Sequence, residues 1–74
     1  MEGWQEISLK ELEEGELYIV ETTDGWKGYA RPKNNEFVST AIYKGSDNEN
    51  FREEPKPMRI FSFDKVKAIY KKEI

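Results

Sequence analysis

The sequence contains no cysteine and no histidine among its 74 residues. Without cysteine, disulfides, thiolate zinc sites, iron–sulfur clusters and cysteine nucleophiles are excluded. Without histidine, the chain lacks the imidazole general base and the commonest protein ligand of zinc and copper. Binding of hard cations by carboxylates is the metal chemistry that remains. We therefore expect neither a cofactor nor a metal site.

Long apolar runs are also missing. No stretch approaches the roughly 20 apolar residues that a membrane-spanning helix requires. Residues 1–6, Met-Glu-Gly-Trp-Gln-Glu, are acidic and do not resemble a secretory leader. We expect a cytoplasmic protein that does not bind membranes. The length predicts one small domain over residues 1–74.

Charge is abundant and unevenly distributed. Charged residues and hydrophobic residues each make up 36% of the chain, and aromatic residues make up 14%. Because aromatic side chains bury a large area each, this composition favours a folded domain with a small core over a disordered chain. Residues 1–25 contain eight acids and one base, whereas residues 26–46 and 58–74 each carry a net charge of +3. This asymmetry predicts an acidic side and a basic side.

A short helix is predicted near the start. Ser8-Leu9-Lys10-Glu11 fits a capping box, in which the first and fourth residues bind each other's backbone amides. Gly15 suits the left-handed residue that ends a helix. The prediction is a helix over residues 8–14.

The rest of the chain predicts β-structure. Strands rich in β-branched and aromatic residues are expected over 16–23, 26–31, 36–44 and 58–63, with turns at Asp24-Gly25 and Asn34-Asn35. Pro32 is expected to end the second strand, because it has no amide for the ladder. Residues 45–57 predict a long loop. The expected core residues are Val20, Val38, Ile42, Ile60, Val66 and Ile69.

Residues 62–72 allow two interpretations. One is an amphipathic helix, and the other is a 3₁₀ turn over 64–66 followed by a strand over 67–72. We favour the second, because a fifth strand would close a barrel and remove an exposed sheet edge. The resulting order of elements resembles small five-stranded SH3-like barrels, and a leading helix also occurs in Sm-like barrels. Such folds host peptide binding, nucleic-acid binding and structural roles, so the resemblance selects no function.

Catalysis has few candidate residues. Glu13-Glu14 and Glu53-Glu54 are adjacent in sequence, so their side chains point in different directions. No imidazole is present to activate a serine or threonine. We do not expect an enzyme.

The second strand mixes aromatic and basic residues. By the two-residue period of a strand, Lys27, Tyr29 and Arg31 share one face, and Trp26 and Gly28 share the other. We expect the first face to point outward and Gly28 to leave room for a large neighbour. An exposed Tyr29 could stack on a nucleic-acid base, anchor a protein interface, or pack along the neighbouring cationic stems. All three interpretations remain open.

The leading hypothesis for function is a non-enzymatic protein-interaction module, of the compact kind that phages and other mobile elements encode. Trp4 would cover one end of the barrel or anchor a partner, and Phe51 would pin the long loop or contact a partner. The candidate partner-binding residues are Trp4, Trp26, Lys27, Tyr29, Arg31 and Phe51.

Two alternatives are single-stranded nucleic-acid binding through clustered cations and mimicry of nucleic acid by the acidic residues 1–25. An unpaired barrel edge could also pair with a second copy, which allows a homodimer.

Overall fold

A computed structural model describes residues 3–42 and 56–73 of the chain. Six antiparallel strands form one sheet in the order β1-β6-β2-β3-β4-β5. The strands are β1 (Trp4–Ile7), β2 (Tyr18–Thr22), β3 (Lys27–Lys33), β4 (Glu36–Ile42), β5 (Arg59–Ser62) and β6 (Val66–Lys72), with single 3₁₀ turns at Leu9–Glu11 and Phe63–Lys65. The prediction of a mainly β protein is confirmed. No helix in the described ranges is long and apolar enough to cross a membrane.

Both predicted hairpin turns are confirmed. Asn34 and Asn35 have φ values of 53° and 63°, the left-handed pair that a two-residue hairpin loop requires. In the turn between β2 and β3, the Thr22 amide donates to the Trp26 carbonyl at 2.9 Å. Gly25, with φ of 91°, supplies the left-handed residue of that loop.

The prediction that Pro32 ends its strand is wrong, because β3 continues to Lys33. The pair Lys33–Glu36 closes a two-residue hairpin and is hydrogen-bonded, so the next pair, Pro32–Phe37, is not. The ring nitrogen of Pro32 therefore points away from β4, towards the side of β2. Pairing with β2 has already ended at Ala30, so no ladder bond is lost.

The predicted N-terminal helix is also wrong. It shrinks to the 3₁₀ turn Leu9–Glu11, and Leu12 is already extended with ψ of 143°. The predicted capping box is found at Ser8 and Glu11, and in it the Ser8 amide donates to the Glu11 carboxylate at 3.2 Å. After the turn, the Glu13 amide donates to the Tyr18 hydroxyl at 2.9 Å and not to a helical carbonyl.

The C-terminal strand is confirmed as β6, preceded by the expected 3₁₀ turn. The prediction of five strands is wrong, because Trp4–Ile7 forms an additional one. The strand pairings form an open sheet and not the predicted closed barrel. Among the described residues β6 lies between β1 and β2, and the sheet ends at β1 and at β5. Most of the predicted loop, the last residues of the predicted third strand, and Phe51 lie outside the described residues.

Both faces of the sheet carry buried side chains. The larger inner cluster is largely aromatic and is centred on Phe37, whose ring centroid lies 5.6 Å from that of Phe61 and 5.2 Å from that of Phe63. Its buried members are Tyr18, Val20, Ala30, Phe37, Phe61 and Ile69. A smaller outer cluster comprises Ile19, Tyr29 and Ala41, with Trp4, Leu17 and Tyr70 packed against them.

The predicted core is partly right. Val20 and Ile69 are buried as expected, whereas Val38 and Val66 are half-buried. Ile60 is 55% exposed, so its assignment to the core is wrong. It lies on the outer face of β5, beyond the reach of the outer cluster. The side chain of Ile42 is outside the described set.

Gly28 provides the space that the sequence predicts for a large neighbour. A Cβ atom at Gly28 would lie 2.5 Å from the indole ring of Trp26 and 2.9 Å from the Ala41 carbonyl oxygen. Both distances are shorter than a carbon atom tolerates. The missing side chain therefore lets Trp26 lie flat over β3, where its ring is 5.5 Å from that of Phe61.

We predict that Gly28→Ala lowers the free energy of unfolding by about 1–3 kcal/mol, because the new methyl group forces Trp26 or β4 to move. Urea denaturation followed by tryptophan fluorescence measures this loss. The control Lys67→Ala changes an exposed position of β6, and its stability should stay within about 0.5 kcal/mol of the wild type. Equal stability of Gly28→Ala and the wild type would contradict the packing described here.

Candidate interaction surface

Three of the predicted partner-binding residues come together on the outer face. Trp4 and Tyr29 have ring centroids 6.2 Å apart, and Lys27 lies on the same face of β3. The expectation that Tyr29 is exposed is wrong, since it is 3% exposed. Tyr29 packs against its cross-strand neighbours Ile19 and Ala41. It is a core residue of the outer cluster and offers no surface for stacking.

The strand β1 explains the burial of Tyr29. Its pairing with β6 brings Trp4 opposite Lys72, and from there the indole packs against the outer cluster. The Lys72 ammonium lies 5.2 Å from the Trp4 ring centroid, within the range of a cation–π contact. Trp4 thus covers a sheet face instead of a barrel end.

Tyr70 is a member of the outer cluster that the sequence analysis does not single out. The Lys27 ammonium lies 5.3 Å from its ring centroid. Burial raises the pKa of the Tyr70 hydroxyl, and the charges of Glu6 and Glu21 raise it further. The alternation of residues along β6 predicts which face Tyr70 occupies. It does not predict that β6 pairs with β1.

The other three candidates do not join the contacts between Trp4, Tyr29 and Lys27. Trp26 is on the inner face, seated over Gly28. Arg31 shares the outer face with Tyr29, and its guanidinium Nη1 donates to the Gly15 carbonyl at 2.6 Å. Phe51 lies outside the described residues. The six candidates therefore do not form one continuous site.

We predict that Tyr29→Ala lowers the free energy of unfolding by about 3–5 kcal/mol, as removal of a buried aromatic ring usually does. Arg31→Ala, which removes an ordinary side-chain hydrogen bond on the same strand face, should cost only about 1 kcal/mol. Chemical denaturation of both variants measures the difference. A Tyr29→Ala protein as stable as the wild type would show that the ring is not part of the core.

A second surface lies at the opposite end of the sheet, beside β5. We call it the edge groove. It is a concave region of about 410 Å³ between the β2–β3 turn, β5 and the second 3₁₀ turn, lined by Thr23, Asp24, Arg59, Ile60, Phe61, Ser62 and Lys65. Two strands, β3 and β4, separate its walls in the sheet, so the sheet must curl to bring them together.

Polar contacts hold the two walls in place. The Arg59 guanidinium donates to the Asp24 carboxylate at 2.7 Å. The Thr23 amide donates to the Lys65 carbonyl at 2.8 Å. Arg59 also lies over the Trp26 ring, with 5.3 Å between the guanidinium carbon and the ring centroid. The groove is thus joined to the inner cluster through Arg59 and through Phe61, which belongs to both.

Asp24 is the best-connected carboxylate of the groove. Besides Arg59, the buried Thr22 hydroxyl donates to it, and the Trp26 amide donates to the same oxygen at 3.4 Å. The hydrogen bond from Arg59, followed by that from Thr22, holds the pKa of Asp24 well below its ordinary value of 3.8. Asp24 remains charged at any pH near neutrality.

A lowered pKa in the folded state gives stability that is present above the unfolded value and lost below it. We therefore predict that the stability of the wild type falls as the pH drops below 3.8. Asp24→Asn should be less stable than the wild type at neutral pH, and its stability should fall less steeply than that of the wild type as the pH drops. Urea midpoints at pH 7 and pH 3 measure both, with Glu14→Gln, an exposed position, as the control. Parallel declines in Asp24→Asn and the wild type would contradict this role of Asp24.

Exposed apolar side chains flank the edge groove. Ile60 on β5 is 55% exposed, and Met58, immediately before β5, is 48% exposed. Alternation along residues 58–63 shows which residues share a face, but it does not show that β5 pairs with one strand among the described residues. The strand order alone supplies that information.

Comparisons with protein-family models, with curated proteins and with solved structures returned no match. Within residues 3–42 and 56–73, no three acidic side chains converge in a way that could hold a metal ion. The geometry of the two surfaces is therefore the basis for a functional proposal.

Proposed function

We propose that the protein is a non-enzymatic interaction module that binds a protein partner at the edge groove. The observation that carries this proposal is Ile60, a large apolar residue that is 55% exposed on a terminal strand of the sheet. Ile60 lines a groove with charged walls, and Met58, two residues earlier in the chain, is 48% exposed. Apolar surface rimmed by polar groups is typical of protein interaction sites.

The pKa shifts of two groups argue against proton transfer by those groups near neutral pH. General acid–base catalysis near neutral pH requires a group whose pKa lies near 7. In the part of the chain that the structure describes, the pKa of Asp24 is lowered and that of Tyr70 is raised. Both groups therefore move away from the range in which they could exchange protons.

We further propose that β2 to β6 form a partly open SH3-like barrel to which β1 is added as an extra strand. The order β6-β2-β3-β4-β5, the 3₁₀ turn before β6 and the contact between Asp24 and Arg59 support this. The edge groove would then be the seam of the barrel.

Single-stranded nucleic-acid binding is less well supported, because the stacking residue proposed for it, Tyr29, is buried. Mimicry by the acidic residues 1–25, a cytoplasmic location and a mobile-element origin remain predictions.

Affinity capture from the source organism's lysate tests the proposal with two matched variants. Ile60→Ser and Leu9→Ser each remove one exposed apolar side chain, and Leu9, which is 44% exposed, lies outside the edge groove. Burial of Ile60 in an interface contributes about 1.5–3 kcal/mol, so Ile60→Ser should weaken binding of the partner by about tenfold or more. Leu9→Ser should bind like the wild type.

Binding is then quantified with the purified partner. Equal affinities of the two variants would refute the edge groove as the binding site. A captured complex that disappears after nuclease treatment would favour the nucleic-acid alternative instead.

A further inference from the structure

The backbone of β5 has one side without a strand neighbour among the described residues. Backbone amide and carbonyl groups point to alternate sides along a strand. In the hydrogen-bonded hairpin pair Lys33–Glu36, those of Glu36 point towards β3, so those of Phe37 point towards β5. Its partner Phe61 therefore faces β4. The amide and carbonyl groups of Ile60 and Ser62 consequently point outward, towards the open side of the sheet.

The two terminal strands, β1 and β5, differ in the kind of side chain that they expose. On β1, the central residues Gln5 and Glu6 are exposed, and a charged residue on an edge discourages another strand from pairing. On β5 the most exposed residue is the apolar Ile60. The open side of β5 thus lacks the protection that β1 has.

Cations lie at both ends of β5. Lys56 is exposed before the strand, and Lys65 is exposed after it, on the wall of the edge groove. The charge of Arg59 is matched by Asp24 within the groove. The two lysines remain as the positive groups that a strand lying along β5 would meet, and they favour carboxylates on that strand.

We propose that β5 binds an extended acidic peptide segment, which adds to the sheet as a further strand. The outward amide and carbonyl of Ile60 would bind its backbone, as in other cases of strand addition. Apolar side chains at alternate positions would pack on Ile60 and Met58, and carboxylates near its ends would face Lys56 and Lys65. This inference rests on the proposed function and specifies its partner.

The experiment selects binders from a displayed library of random peptides about twice as long as β5, using the wild-type protein. Selected peptides should carry apolar residues at alternate positions and Asp or Glu near their ends. Their affinities are then measured by fluorescence anisotropy for Ile60→Ser and Ile60→Pro. Both variants lose the isoleucine side chain, but only the second loses the outward amide. That amide makes no bond to β4, so proline at position 60 of this edge strand removes no hydrogen bond within the sheet.

Ile60→Pro should bind at least about tenfold more weakly than Ile60→Ser, because a peptide carbonyl loses its donor. A second test leaves the protein unchanged, which avoids any effect of proline on folding. In an added strand, every second peptide amide points towards β5. N-methylation of that set should abolish binding, whereas N-methylation of the intervening amides should change the affinity little.

Several results would overturn the inference. If Ile60→Pro and Ile60→Ser bind equally and both N-methylated series bind alike, the partner docks through side chains, and the proposed function stands without strand addition. Selection of basic peptides would overturn the acidic specificity. A dimer in sedimentation that the peptide fails to dissociate would make a second copy the occupant. Peptides that bind wild type, Ile60→Ser and Ile60→Pro equally well would overturn the proposed function too.

Discussion

The ring of Trp26 over Gly28 is the contact on which the shape of the molecule depends. It fills the concave side of the sheet between the β2–β3 turn and Phe61, and it supports Arg59 where that residue reaches Asp24. Two strands that are not neighbours in the sheet are thereby drawn together. The position of the indole depends on the absence of one side chain, because a methyl group at Gly28 would lie 2.5 Å from the Trp26 ring.

Burial on both faces explains how so short a chain remains ordered with so few apolar residues. A small domain buries a limited fraction of its surface, and here aromatic rings provide much of it. Tyr18 and Phe37 fill the inner side, whereas Tyr29 fills the outer side. The outer cluster needs β1 to cover it, so a strand of four residues completes a second core.

Sequence patterns predict those parts of the fold that depend on neighbouring residues. Asn34-Asn35 indicates its hairpin because two left-handed residues are needed there, and alternation assigns Tyr29 and Trp26 to opposite faces. The errors concern contacts between distant residues. Whether Tyr29 is exposed depends on Trp4, whereas the exposure of Ile60 depends on a strand order that no local pattern encodes. The edge groove could not be predicted for the same reason, since its walls meet only after the sheet curls.

The pairing of β1 with β6 has a consequence for synthesis of the chain. Trp4 lies opposite Lys72, so β1 cannot pair until β6, which follows it in the chain, has been synthesised. The hairpins β2–β3 and β3–β4 join adjacent segments and can form early, since local contacts close the shortest loops. Until β6 emerges, the Tyr29 ring on the outer face stays exposed to solvent on the nascent chain. The outer cluster is therefore covered only after β6 has been synthesised and has paired with β1.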